Sequence, residues 1–178
     1  GLKNIPTDIE IYLNLDDPER YEKHLLTKPT RTISGVAVVA LMTKPMPCPH
    51  GKCIYCPGGV ESDFGDMPQS YTGREPSTMR ALRNNYDAYL TVMNRLEQYI
   101  VLGQNPDKID LIVMGGTFPS FPEGYQVEFI ASAFKAMNDF SEEFYDGGKF
   151  DIDSFREFFE LPGDKDDKER IDRINEKL

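Results

Sequence analysis

All three cysteines of the chain stand within nine residues, Cys48-Pro-His-Gly-Lys-Cys53-Ile-Tyr-Cys56, at the spacing C-x4-C-x2-C. Thiols crowded in this way are metal ligands or disulfide partners, and an odd number disfavours the disulfide. A closed structural zinc site or an ordinary ferredoxin cluster takes four protein ligands, so three thiolates are one short. A [4Fe-4S] cluster on three thiolates leaves one iron open to a small molecule, to which it can pass an electron. Zinc is the competing reading, with His50 completing a shell of three cysteines and one histidine. Against zinc, Cys48 and His50 are separated by one residue, tighter than the usual spacers. Inert buried thiols are the third reading.

The elements that must position this loop are legible around it. Ile33 to Met42 is an apolar, β-branched run closed by Pro45 and Pro47, which predicts a fully buried strand. The cysteines therefore leave the carboxyl end of a buried parallel strand, where α/β folds place their sites. Behind them, Pro57-Gly58-Gly59 offers backbone amides able to reach cluster sulfurs, or simply makes a turn. Residues 60 to 76 are too irregular for an element, and a loop of that length is more often functional than idle. Met79, Leu82, Tyr86, Leu90, Met93, Leu96 and Ile100 then recur at helical spacing, from Pro76 to a stop at Gly103. Arg74, Arg80 and Arg83 near its start suit either a phosphate or a solvated face. A second buried strand is expected from Lys108, ending in Gly115-Gly116-Thr117, where glycines let a ligand approach the backbone. Tyr125 to Phe140 reads as a helix with Val127, Ile130, Phe134 and Met137 on one stripe. Strand, loop, helix, strand, turn and helix make two β-α units of a parallel α/β architecture.

The flanks are less informative. Ile9, Ile11, Leu13 and Leu15 alternate as in a short edge strand between Pro6 and Pro18, and Pro18 to Leu26 reads as a short helix carrying a surface His24. From Asp139 to Leu178 there are 14 acidic against 7 basic side chains. Ile152, Phe155, Phe158 and Phe159, then Ile171, Ile174 and Leu178, predict two short peripheral helices, with Asp164 to Glu169 a solvated connection. The divisions are 1–30 as an extension, 31–140 as the site-bearing domain and 141–178 as an acidic helical tail. With a net charge of −10 and no apolar span or leader, the sequence reads as cytoplasmic, a reducing compartment that keeps thiols free for metal. The same charge argues against a large nucleic-acid footprint on this segment.

The cysteine loop resembles that of radical S-adenosylmethionine (SAM) enzymes, with Tyr55 at the aromatic position before the last cysteine and one extra residue between the first two. Its surroundings are more specific: Arg31-Thr-Ile-Ser-Gly-Val-Ala-Val-Val-Ala, Cys56-Pro-Gly-Gly, Gln69-Ser-Tyr-Thr-Gly-Arg-Glu-Pro and Val113-Met-Gly-Gly-Thr-Phe. Together, from about Lys28 to about Tyr125, they look like the Elongator catalytic-subunit family. The resemblance implies the first part of a partial (β/α)6 barrel, truncated here, with peripheral helices at both ends. It implies a [4Fe-4S] cluster on Cys48, Cys53 and Cys56, and SAM held near Tyr55 and at Gly115, Gly116 and Thr117, the last replacing an acid of the usual segment. It places Lys108 near acetyl-CoA. The implied reaction is carboxymethylation of the wobble uridine of transfer RNA: a 5′-deoxyadenosyl radical takes hydrogen from the acetyl methyl group, whose carbon then adds to C5 of the base. The acetyltransferase domain that the family carries at its C-terminus is not found in these residues, and the open edge of a cut barrel is expected to self-associate or be covered.

Overall fold

The computed structural model describes residues 5–25, 27, 32–104, 106–163 and 167–178. Leu26, Lys28, Arg31 and Asp164 to Asp166, which the sequence reading used, lie outside them. The elements in order are α1 (Asp8–Leu13), α2 (Glu22–Leu25), β1 (Ala37–Met42), α3 (Pro76–Arg83), α4 (Ala88–Val101), β2 (Ile109–Met114), α5 (Glu123–Phe144), β3 (Tyr145–Asp146), β4 (Lys149–Phe150), α6 (Ile152–Phe158) and α7 (Lys168–Lys177). Strands β1 and β2 form one sheet and β3 and β4 another. No helix among the described residues is long and apolar enough to cross a membrane.

The chain forms two compact units. The second, Val38–Met93 with Asp110–Met137, contains the cysteine loop. Strands β1 and β2 run parallel: Ala37 N–H bonds to the Lys108 carbonyl at one end of the pair and Thr43 N–H to the Met114 carbonyl at the other, residue i meeting residue i + 71 both times (37 with 108, 43 with 114). A constant offset is the mark of parallel pairing. Both strands fall short of the full burial expected for them. Ala37, Val39, Leu41 and Met42 are buried, but Val38 is 39% exposed and Ile112 is 40% exposed. In a sheet of two strands the alternate side chains keep access to solvent.

The long helix expected from Pro76 to Ile100 is two helices. After α3, Asn85 takes the left-handed conformation with φ 51°, and the bonds Tyr86 N–H to Ala81 O and Asn85 N–H to Leu82 O close a Schellman turn. Asp87 then caps α4 by accepting from the Leu90 N–H at 2.9 Å. Helix α4 ends as expected, Gly103 donating to Ile100 O and Gln104 to Tyr99 O. On α5 the buried stripe is Phe129, Ala133, Ala136, Phe140 and Phe144, while Val127 and Phe134 are 63% and 55% exposed. Two stripes compete there, and the one with three phenylalanines prevails because those rings find ring partners. In this unit Phe118, Phe121, Tyr125 and Phe129 stack at centroid separations of 5.5 to 5.9 Å.

The first unit comprises Gly1–Ala37, Asn94–Ile109 and Asn138–Leu178. The alternation at residues 9 to 15 is not a strand: Thr7 and Glu10 form a capping box and start α1. The two tail helices form as α6 and α7, each begun by an aspartate side chain, Asp151 and Asp167. Between α5 and α6, Gly147-Gly148 turns a β3–β4 hairpin that periodicity did not reveal, both glycines having positive φ. Phe144, Phe155 and Phe159 are fully buried and surrounded by Phe140, Phe150 and Phe158. Arg170, 6% exposed, donates to the Phe159 carbonyl and pairs with Glu97 at 3.2 Å, so this buried cation is fully engaged.

Candidate metal and cofactor site

Thr43, the residue after β1, starts the site. Its side chain is fully buried, and its hydroxyl donates to the Gly115 carbonyl at 3.1 Å, which ties the exit of β1 to the exit of β2. Gly115 has φ +100°, and a Cβ on it would lie 2.8 Å from Thr43 Oγ1 and 3.0 Å from Met42 Sδ. Conformation and space both require glycine here. One residue on, the Lys44 N–H donates to the Tyr125 hydroxyl at 3.1 Å, and the Lys44 ammonium sits 4.6 Å from the centre of that ring. Burial pushes the Tyr125 hydroxyl up, which keeps it neutral. The chain therefore enters the cysteine loop from a pinned start.

Cys48, Cys53 and Cys56 are all free thiols. They line one open cleft of about 270 Å³ together with Tyr55, Gly115, Gly116 and Thr117. Each sulfur meets a different polar group. Thr117 Oγ1 donates to Cys48 Sγ at 3.6 Å, His50 Nε2 stands 3.3 Å from Cys53 Sγ, and the Ser70 N–H donates to Cys56 Sγ at 3.1 Å. Among the described residues no group of three or more His, Cys, Asp or Glu side chains is gathered tightly enough to hold one metal ion. A [4Fe-4S] cluster takes each thiolate on a different iron, so its ligands need not meet at a point, and a set of three thiolates fits it. Three soft thiolates around an open, partly polar cleft also match the ligand preference of iron–sulfur clusters.

Six of the sequence-predicted residues thus converge: the three cysteines with Gly115, Gly116 and Thr117. Tyr55 reaches the cleft as well, although it is 82% exposed. Lys108 is not among the lining residues; it is exposed at the opposite end of β2 from Gly115. Sequence reasoning missed Thr43, Gln69 and Ser70. Gly58 and Gly59 were read either as amides able to reach cluster sulfurs or as a turn; the N–H aimed at the Cys56 sulfur is that of Ser70. Gly58 has another duty: a Cβ on it would fall 1.6 Å from the Tyr71 carbonyl oxygen, so only glycine lets the strap Pro68–Tyr71 lie against the cysteine segment. Glu75 ends that strap. Its carboxylate accepts from Thr72 N–H and Oγ1, from Gly73 N–H and from Thr78 Oγ1, and these bonds, that of the Thr72 N–H foremost, lower it to about 2.

The chain mixes helices with a parallel strand pair that bears a three-cysteine loop and a Gly-Gly turn at its carboxyl ends, around a thiol-lined cleft. No family model matches the chain. It is 61% identical over 115 residues to a tRNA uridine(34) acetyltransferase of Methanocaldococcus infernus, a match covering 65% of this chain and 22% of that protein. It is 47% identical over 133 residues to Elongator complex protein 3 of Saccharomyces cerevisiae, covering 70% and 24%. The human Elongator complex protein 3 is 46% identical over 147 residues, covering 78% and 26%. The chain belongs to the Elongator catalytic-subunit family, and it spans about a quarter of the length of these relatives.

Proposed function

We propose that this chain is the cluster- and SAM-binding part of an enzyme that modifies the wobble uridine of transfer RNA. The observation that carries the reading is the convergence of Cys48, Cys53 and Cys56 with Gly115-Gly116-Thr117 on one cleft. The relatives named for transfer RNA uridine 34 support the substrate class. On this reading the two β-α units begin a partial (β/α)6 barrel.

The three thiolates would hold a [4Fe-4S] cluster, whose chemistry is to give bound SAM one electron, generating a 5′-deoxyadenosyl radical. The chain's own residues bind and orient. Gly115 and Gly116 present backbone free of side chains, the Thr117 hydroxyl stands between the turn and Cys48, and Tyr55 offers a ring at the cleft mouth. Lys108, exposed and cationic, is available to acetyl-CoA. The exposed Val38 and Ile112 support self-association of this chain, which light scattering would register as a mass above 20.3 kDa.

A zinc-stapled module is the second reading, favoured by the contact of His50 with Cys53. Anaerobic reconstitution followed by iron, sulfide and zinc analysis separates the two. The cluster reading expects a brown protein bleached by dithionite, loss of the cluster in Cys48→Ala, Cys53→Ala or Cys56→Ala, and retention in His50→Ala. Full cluster retention in Cys48→Ala sinks it, and a colourless protein with stoichiometric zinc selects the staple. The reduced, reconstituted chain should show at most slow, uncoupled formation of 5′-deoxyadenosine, and no modified uridine.

A further inference from the structure

The three sulfurs are not equivalent. Cys48 and Cys53 are half-buried and each meets one side chain, whereas Cys56 is 8% exposed and lies in a nest of polar groups. Besides the Ser70 N–H, Gln69 Oε1 lies at 3.1 Å, the Gly58 carbonyl at 3.5 Å and Ser70 Oγ at 3.9 Å. Ser70 reaches this position with φ +71°, a left-handed conformation that a residue with a Cβ rarely adopts. Gly59 leaves space for the amide, since a Cβ there would stand 3.0 Å from Gln69 Oε1. Gln69 itself is 7% exposed. A strained residue, two obligatory glycines and a buried amide are thus spent on one sulfur.

We propose that Gln69 is a positioning residue that donates a side-chain N–H to Cys56 when this sulfur is a thiolate ligand, and so raises the reduction potential of the group it holds. The inference rests on the cluster reading above. With a protonated thiol, S–H donates to Oε1, the arrangement seen here. Once the proton is gone the carbonyl would face an anion. Half a turn of the amide exchanges Oε1 for Nε2 in nearly the same volume and restores a donor. Together with the Ser70 N–H, that places two donors on one sulfur in a desolvated setting, where each bond is strengthened. Donors to a ligand sulfur stabilise the more negative, reduced state and raise its potential.

The test compares Gln69→Leu and Gln69→Glu with the parent chain after anaerobic reconstitution. Iron content should be unchanged in Gln69→Leu. At a fixed potential its reduced-to-oxidised ratio should fall about tenfold, a drop of about 59 mV for one electron. Gln69→Glu, of the same size but anionic, should fall further. A potential unmoved in both variants overturns the proposal. A second arm needs no cluster: in the apo chain, Cys56 should react with iodoacetamide about tenfold faster in Gln69→Ala than in the parent, with Cys48 and Cys53 unchanged. An unchanged Cys56 rate overturns the contact itself. A parent chain that shows this rate difference but never binds iron upholds the contact and defeats the cluster reading instead.

Discussion

The stretch from Thr43 to Glu75 and the stretch from Asn138 to Leu178 are ordered by opposite means. The first has no helix and, after the Thr43 bond that ends the β1–β2 pair, no strand pairing beyond a single bridge, and its course is set by directed hydrogen bonds to Cys56, Glu75 and the Gly115 carbonyl. The second is ordered by phenylalanines whose ring centroids lie 4.8 to 6.2 Å apart, with side-chain caps at the helix starts. Apolar burial is strong and non-directional, so it supplies stability but little placement. Hydrogen bonds add less net energy but fix atoms in space. Variants in the two stretches should therefore separate folding from site geometry.

The largest effect is expected in the tail. Phe144→Ala removes a ring that touches Phe140, Phe155, Phe158 and Phe159 and should cost about 3–5 kcal/mol in urea unfolding. At low urea, Cys56 should still be the slowest of the three thiols to be alkylated; equal rates would break the separation. Gly58→Ala is the converse. Its methyl collides with the Tyr71 carbonyl, so the strap must lift; Cys56 should lose its protection and, on the proposed cluster reading, the reconstituted chain should take up less iron. The stability loss should be smaller, about 1–3 kcal/mol. A Gly58→Ala chain that binds iron as the parent does would show that the strap is dispensable.

The finest test uses two carboxylates that both sit at about 2 for different reasons. Glu75 is held there by uncharged donors, whereas Glu160 is bonded to the cations of Arg173 and Lys177. In both cases the folded value lies below the unfolded one. The stabilisation is therefore complete above the ordinary glutamate value near 4.3, and it fades as pH falls from there through about 2. Raising the salt from low to about 1 M should move Glu160 toward its ordinary value in an NMR titration and leave Glu75 in place, because screening acts on ion pairs at the surface. Parallel movement of both would erase the distinction.

The residues that line the cleft were the most legible part of the sequence. Cysteine spacing and the Gly-Gly turn can be read locally, and they meet because Thr43 and Gly115 join the ends of two adjacent strands. What escaped was decided by competition or by backbone conformation. Asn84-Asn85-Tyr86-Asp87 holds a left-handed turn and a helix cap, yet the apolar spacing of Tyr86 and Leu90 suggested an unbroken helix across it. Helix α5 carries two apolar stripes, and only the location of ring partners selects between them. Thr7 and Glu10 were a readable cap, overridden by an alternation of four aliphatic residues. Ser70 could not be found from its type, since its role depends on a φ that serine seldom takes.

The chain between Cys56 and Gln69 also has a geometry of its own. Its two ends are clasped at 3.1 Å, while its far end closes on itself through the Gly65 N–H to Ser62 O bond and the Glu61 N–H to Asp66 carboxylate bond. Glu61, Asp63, Phe64, Gly65 and Asp66 there are exposed. A ring anchored at its base and self-sufficient at its tip can change length without moving the anchor, because doubling a flexible loop costs only about 0.6 kcal/mol of closure entropy. Evolution and the protein engineer can thus lengthen this part of the molecule, or hang a reporter on it, without disturbing the sulfur at its base.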